Sequence, residues 1–368
     1  MKLGVDLSTY LEELEHGAVY YQGSNVVDPL DLLRERGVDS VRLRLWNDPH
    51  SEDGTSYLGG GCSLDVVRRT AALVMEKGFD LMLDFHYSDF WVDPGKQMIP
   101  KAWRGKTLGE MVDAVYAYTR DALLSLRADS ILPSYVQIGN EITNGILWPV
   151  GRLGEESDSV RSNYDSLCAL LKAGVRACRE VAPSAKIVLH LERSHDQAVY
   201  QEFFTQMQAH GVDFDVIGVS YYPFWHGTFE QFFANMDACK VFGKEQMVVE
   251  MGYGFTLKPY VLHGKDTRLV VTGDLVDRLP MAERYPFTPR GQADFVRDFL
   301  ALACEHGLSG VYYWEPLWIP GQGICWASAE GQDYIGESGK STANEWANQC
   351  LFDYEGRALP ALDAFTNK

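Results

Sequence analysis

No stretch of this chain approaches the roughly 20 consecutive apolar residues that a membrane-spanning helix needs, although 46% of its residues are hydrophobic. Basic residues are scarce as well: 33 Lys and Arg stand against 51 Asp and Glu, a formal net charge of −18. Such a surface repels phosphate backbones and anionic headgroups, so nucleic acid and membrane are excluded as expected partners and a neutral ligand fits better. Cysteine is sparse and unpatterned. Cys62, Cys168, Cys178, Cys239, Cys304, Cys325 and Cys350 are odd in number and show no CxxC or other metal-ligand spacing. Reduced thiols acting as small core residues are expected, with a Cys325 to Cys350 bridge as the alternative. No internal repeat, low-complexity tract or Pro- or Ser-rich linker marks a boundary, so one domain over residues 1–368 is expected. Met1-Lys2-Leu3-Gly4-Val5-Asp6 enters the first predicted strand without a basic segment and apolar core ahead of it. The expectation is a cytoplasmic protein if the chain is complete and a secreted one if a signal peptide has been removed. Gly59-Gly60-Gly61 lacks the Lys-Ser/Thr of a phosphate loop and reads as a flexible turn.

What the chain does have is a recurring short β-rich run followed by a segment of helical spacing. Strands are predicted at 3–7, 40–46, 80–86, 135–141, 186–192, 216–222, 246–252 and 310–315. Helices are predicted at 64–77, 107–127, 159–181, 197–210, 229–242 and 288–306. Eight such units in 368 residues point to a (β/α)8 TIM barrel with long loops on its catalytic face. A doubly wound open sheet is the second choice.

Two of the predicted strands end on an acid. Glu141 closes Val136-Gln137-Ile138-Gly139-Asn140-Glu141, and Glu250 closes Met247-Val248-Val249-Glu250. A strand buried on both faces is built of Val, Ile and Leu, so a carboxylate at its C-terminal end needs a reason beyond packing. In a barrel, that end carries the chemistry. Aromatic residues gather in the same places: Trp46, Trp91, Trp103, Trp148, Tyr221, Tyr222, Trp225, Trp314 and Trp318 lie at strand ends or in the loops beyond. A cleft walled by indole and phenol rings suits sugars, whose C–H faces stack on aromatics while their hydroxyls meet polar side chains. Polar partners at the same ends include Arg42, Arg44, Asn47, Asp48, His86, Asp89, Asn140, Asn144, His190, Glu192 and His226. Strands four and seven lie on opposite sides of an eight-stranded barrel, so Glu141 and Glu250 can face one another across its mouth. Two facing carboxylates are the parts of glycoside hydrolysis, one protonating the leaving oxygen and the other attacking the anomeric carbon or activating water.

Six motifs carry a closer likeness. They are Val41-Arg42-Leu43-Arg44-Leu45-Trp46-Asn47-Asp48-Pro49; Asp84-Phe85-His86-Tyr87-Ser88-Asp89-Phe90-Trp91 with Asp93-Pro94-Gly95-Lys96-Gln97; Gly139-Asn140-Glu141-Ile142-Thr143-Asn144-Gly145; Gly218-Val219-Ser220-Tyr221-Tyr222-Pro223-Phe224-Trp225-His226-Gly227; Val249-Glu250-Met251-Gly252-Tyr253; and Tyr312-Tyr313-Trp314-Glu315-Pro316. In this order, over nearly the whole chain, they make it resemble the family 53 glycoside hydrolases. The resemblance implies an endo-β-1,4-galactanase of a clan of retaining barrel enzymes, acting on galactan, type I arabinogalactan or galacto-oligosaccharides in pectin degradation; a monomer is expected. It implies Glu141 as general acid/base, Glu250 as nucleophile and Asn140 as partner of the sugar 2-hydroxyl. Arg44, or Arg42 if the strand phase differs by one, is the cation expected to keep the nucleophile ionised. Tyr221 or Tyr222 is expected to hold the nucleophile, and His190 to adjust the acid. His86, Asp89, Trp91, Trp314 and Trp318 complete the expected substrate-binding set, with Trp91 and Trp314 as stacking platforms.

The segments 252–289 and 316–344 are long for βα connections, and loops of that length shape the cleft. Some bacterial members of the family hold a calcium ion in this region, which implicates Asp266, Asp274 and Asp277. Their spacing is not that of an EF-hand, and solvated surface acids are the plainer reading. No other cofactor is expected. Two further classes are a metal-dependent barrel hydrolase using His86, His190, Glu192 and Glu250, which the lack of HxH or HExxH disfavours, and a non-catalytic barrel that binds oligosaccharide.

Overall fold

Alternating strand and helix periods leave each strand with apolar side chains on both faces, one toward the barrel axis and one toward the helices. In the computed structural model, which describes residues 1–154, 162–276, 279 and 281–366, the eight strands are β1 (Lys2–Asp6), β2 (Ser40–Leu45), β3 (Asp80–Phe85), β4 (Tyr135–Ile138), β5 (Lys186–Leu191), β6 (Val216–Tyr221), β7 (Glu245–Met251) and β8 (Gly310–Tyr313). All neighbours pair in parallel, and β1 pairs with both β2 and β8, closing the (β/α)8 barrel and excluding the open sheet. The outer layer includes α1 (Pro29–Glu35), α2 (Leu64–Glu76), α3 (Leu108–Ala128), α4 (Tyr164–Val181), α5 (Gln197–Ala209), α6 (Phe229–Cys239) and α7 (Pro289–Glu305). Each presents an apolar stripe to the sheet; α2 buries Val67, Thr70, Ala71 and Val74 at the spacing of a helix face. Ser63 caps α2, and Thr107 with Glu110 forms a capping box on α3, satisfying N–H groups the helix cannot.

The barrel floor is a plug of Met82, Tyr135, Val188, Val216, Met247, Val249 and Tyr312. Tyr312 needs Gly4 beside it, because a Cβ there would stand 2.2 Å from its ring. Above the plug the inward positions turn polar, and there the buried Asp6, Arg42, Arg44, Asp84, Gln137 and His190 are found.

Sequence periodicity overruns the strands at their catalytic ends. The predicted 135–141 stops at Ile138, and Glu141 takes a left-handed φ of 49° after Gly139 at 86°. The predicted 310–315 stops at Tyr313, with Glu315 also left-handed at 47°. In both the chain turns out of the sheet while its residues still read as strand. Helix 159–181 begins at Tyr164 among the described residues, positions 159–161 lying outside them, and α6 gives way to a 3-10 turn, Lys240–Phe242. The first outer helix, Pro29–Glu35, with Asp28 capping it, is absent from the predicted set, as is the 3-10 segment Pro360–Thr366 that packs on α7.

All seven cysteines are free, and the Cys325 to Cys350 bridge does not form: Cys350 Sγ lies 2.9 Å from the carbonyl of Trp318. The segment after β7 carries a hairpin, Val261–Leu262 with Lys265–Asp266, and the one after β8 carries a helix, Ala329–Tyr334. Asp266 sits on that hairpin, Asp274 in the helical turn Gly273–Val276, and Asp277 outside the described residues. Among the described residues, no group of three or more His, Cys, Asp or Glu converges as an ion would require.

Candidate active site

Strand β2 sends Ser40, Arg42 and Arg44 inward at alternate positions, so the two arginines occupy successive layers of the barrel, about 6.6 Å apart along the strand. Arg42 is the lower. Its Nη1 meets Asp6 at 2.7 Å, its Nη2 meets Asp84 at 2.8 Å and Glu250 Oε1 at 3.0 Å, and its Nε donates to Gln137 at 3.1 Å. Arg44 pairs instead with Glu315 at 2.5 Å and Asp6 at 3.6 Å. Its guanidinium lies 4.2 Å from the centre of the Trp91 ring, bracing that indole from below. The cation beside Glu250 is therefore Arg42. The expectation of Arg44 is corrected by depth in the barrel, since both side chains face inward.

Glu250 reaches the cavity through an irregularity in its strand. The register of β6 and β7 pairs Val219 with Val248 but Ser220 with Glu250, one extra residue on β7. This bulge lets Val249 pack in the floor while Glu250 still lines the cavity above it. Strand β6 alternates in the same way. Ser220 and Tyr222 serve the site, whereas Tyr221 points outward among Phe232 and Phe299, its hydroxyl on the carbonyl of Gly227 at 3.0 Å. Tyr222 donates to Glu250 Oε2 at 3.0 Å. Of the two tyrosines expected at the nucleophile, Tyr221 is thus excluded by strand phase.

Glu141 has different company. Its Oε1 accepts from Ser220 at 2.7 Å, and His190 lies behind Ser220 rather than against the acid's carboxyl. Burial first, then the charges of Glu250 and Glu192, push the Glu141 carboxyl well above the ordinary range, with Ser220 pulling the other way. Burial also raises Glu250, to about 7, with Arg42 and the Tyr222 hydroxyl pulling down. Glu141 thus holds its proton more firmly than Glu250 does. Burial keeps the imidazoles of His86 and His190 neutral. His86 Nε2 lies 2.9 Å from Asp84, and its Nδ1 accepts from the Trp46 indole at 3.2 Å.

The cavity above these groups has a volume of about 410 Å3. Six tryptophans line it: Trp91, Trp225, Trp314, Trp318, Trp326 and Trp346. Of the expected substrate-binding residues, Arg44, His86, Trp91, Asn140, Tyr222, Trp314 and Trp318 line it too. His190 and Asp89 do not. Asp89 is spent on loop structure, accepting from the backbone N–H of Lys101 at 2.6 Å and of Asp48 at 3.1 Å. The Oδ1 of Asn140 accepts from Arg42 at 3.0 Å, and its Nδ2 donates to the carbonyl of Val92 at 3.1 Å.

Sequence reasoning missed Ser220, Gln137, Trp326, Trp346 and the rim ions Lys96, Glu337, Arg268 and Glu345. For Ser220 a signal existed, since period-two alternation puts it on the face of Tyr222. Trp326 and Trp346 sit in the long segment after β8, where no periodicity places them.

A sequence model of the family described as Glycosyl hydrolase family 53 matches residues 2–365. The arabinogalactan endo-beta-1,4-galactanase of Cellvibrio japonicus is 35% identical, covering 98% of this chain and 89% of that one. Among solved structures, the Ignisphaera aggregans GH53 catalytic domain aligns with a TM-score of 0.87 at 39% identity, over 98% of this chain and 94% of its own. A fungal beta-1,4-galactanase aligns with a TM-score of 0.77 at 27% identity, over 100% and 99%.

Proposed function

The chain belongs to glycosyl hydrolase family 53, and from that premise we propose that it hydrolyses β-1,4-galactosidic bonds within galactan and type I arabinogalactan, with retention of configuration. Glu250 attacks the anomeric carbon as Glu141 protonates the departing glycosidic oxygen; the C–O bond to the leaving chain breaks and an ester to Glu250 forms. Glu141, now a carboxylate, takes a proton from water, whose oxygen displaces Glu250 from the sugar. The observation that carries this division of roles is the asymmetry of the two acids. Glu250 is held by a cation and a phenol, both favouring the ionised form against the charges of Asp6 and Asp84, whereas Glu141 meets a neutral hydroxyl against Glu250, Glu192 and Asp93.

The test is incubation of the purified protein with linear β-1,4-galactan beside cellulose, mannan and xylan. Galacto-oligosaccharides of mixed length from galactan alone, appearing first as the β-anomer by proton NMR, are expected. No cleavage of galactan overturns the reading, and release of the α-anomer overturns retention. Glu250→Ala is expected to abolish turnover, with azide restoring a product of inverted configuration.

A further inference from the structure

A continuous file of hydrogen bonds joins the cation of one acid to the carboxyl of the other. Arg42 Nε donates to Gln137 Oε1, Gln137 Nε2 reaches His190 Nδ1 at 3.1 Å, His190 Nε2 lies 2.8 Å from Ser220 Oγ, and Ser220 Oγ donates to Glu141 Oε1. Arg42, Gln137, His190 and Ser220 are fully buried, so bulk water does not compete for these bonds.

The direction of each donation follows from its neighbour. An arginine Nε–H can only donate, which fixes Gln137 Oε1 as acceptor and turns its NH2 toward Asp84 Oδ1 at 2.7 Å, the carbonyl of Gly139 at 3.0 Å and His190. His190 Nδ1 therefore faces two donors, Gln137 Nε2 and the backbone N–H of Glu141 at 3.4 Å. One acceptor is also near, Asn140 Oδ1 at 3.0 Å, whose two lone pairs are approached by Arg42 at 3.0 Å and by Gln137 Nε2 at 3.4 Å. Two donors against one shared acceptor favour the tautomer that accepts at Nδ1 and carries its proton on Nε2. That proton satisfies the Ser220 oxygen and leaves the Ser220 hydroxyl hydrogen for Glu141.

We propose that Ser220, oriented by His190, is the positioning residue of Glu141: it occupies Oε1, so that the proton to be transferred is carried on Oε2. This rests on the assignment of Glu141 as acid/base. Once the proton has left, the same hydroxyl stabilises the carboxylate that must then activate water. The charged groups facing Glu141 are Glu250 from β7, Glu192 beyond β5 and Asp93 beyond β3, all opposing ionisation. The Ser220 hydroxyl counters them.

Ser220→Ala and Ser220→Thr test the assignment. In Ser220→Ala, kcat on galactan is expected to fall about tenfold with KM unchanged, and the alkaline limb of kcat/KM to move up by about one pH unit, as loss of one hydrogen bond to a charged group implies. A dinitrophenyl β-galactobioside, whose leaving group needs no proton, is expected to form its glycosyl-enzyme at the unaltered rate. Ser220→Thr restores the hydroxyl and with it both the rate and the limb. Nitrogen-15 NMR of His190 is expected to report the Nε2–H tautomer. An unmoved limb, an equal loss on both substrates or an Nδ1–H tautomer overturns the proposal. Wild-type turnover of galactan by Glu141→Gln would instead overturn the acid assignment, independently of Ser220.

Discussion

At the scale of the residue, the proposed mechanism asks one guanidinium and one phenol to separate the roles of two carboxyls that burial raises in both cases. Tyr222 spends its hydroxyl on Glu250 Oε2, and Trp346 packs against its ring with centroids 5.4 Å apart. Tyr222→Phe removes a donor that favours the ionised form and leaves the packing in place. The carboxyl of Glu250, already raised by burial to about 7, then rises further. The expected outcome is an acidic limb of kcat/KM displaced to higher pH and a fall in kcat of about tenfold or more, read from a pH–rate series on galactan. A profile unchanged from wild type would mean that Arg42 alone sets the nucleophile. Much of this was legible in the sequence, because Glu141, Glu250, Arg42 and Tyr222 all stand in strand-end motifs. What alternation could not supply was depth. Arg42 and Arg44 share a face of β2, and only the closed barrel decides which of them is level with Glu250.

At the scale of the element, the cleft is made by loops that the strands merely aim. The segment after β3 brings Trp91 and Lys96, the one after β8 brings Trp326, Glu337 and Lys340, and these two segments clasp each other. Trp91 Nε1 donates to the carbonyl of Trp326 at 2.9 Å, and Lys96 bridges Asp93 on its own loop to Glu337 on the other, the latter at 3.0 Å. Lys340 meets Glu337 from the far side at 2.8 Å. Lys96→Ala opens one joint of the clasp without touching either catalytic carboxyl. Since a partly exposed ion pair contributes about 1 kcal/mol or less, KM for galactan is expected to rise about threefold to fivefold with kcat retained. A kcat loss without a KM change would show that the clasp orders the chemistry instead of the rim. The sequence placed Trp91 at the cleft and marked 316–344 as a loop that shapes it, but the clasp between the two segments was not readable. Strands and helices announce themselves by period, but Trp326, Glu337 and Trp346 are placed by tertiary packing of a segment with little periodicity, and Pro29–Glu35 is too short to show a helical stripe. The strand ends were overrun for the complementary reason: Glu141 and Glu315 leave the sheet through left-handed turns that the composition of the run does not announce.

At the scale of the whole molecule, burial shifts a set of carboxyls and imidazoles toward their neutral forms beside the charged Arg42 and Arg44, and stability must follow pH accordingly. The carboxyls raised furthest among the described residues are Glu12 and Glu250 at about 7, Glu315 at about 8, and Glu13 and Glu141 well above 4.5, burial being the first cause in each. A carboxyl raised in the folded state adds stability that is complete below 4.5 and is lost as pH climbs through its folded value. Three imidazoles act in the opposite sense. Burial holds His86 and His190 below the ordinary 6.5 and His226 down at about 3, so each favours the fold above 6.5 and loses that contribution as pH falls. Between 4.5 and 6.5 the two sets oppose one another; above 6.5 only the carboxyls still titrate differentially. The net charge of −18 adds repulsion in the same direction. The thermal midpoint is therefore expected to fall most steeply between pH 6.5 and about 8, measured by calorimetry across a buffer series. Glu12 isolates the effect, because it lies outside the catalytic pair and its Oε2 accepts from the backbone N–H of Gly60 at 2.9 Å, a bond the glutamine oxygen can keep. A rise from 4.5 to about 7 corresponds to about 3 kcal/mol of stability lost once the group is forced to ionise. Glu12→Gln is expected to make the fall between pH 5 and about 7 shallower, where the folded and unfolded values of Glu12 differ, and to leave the slope above about 7.5 unchanged. A variant whose curve runs parallel to the wild type between about pH 5 and 7 would locate the loss in the other raised carboxyls or in the net charge.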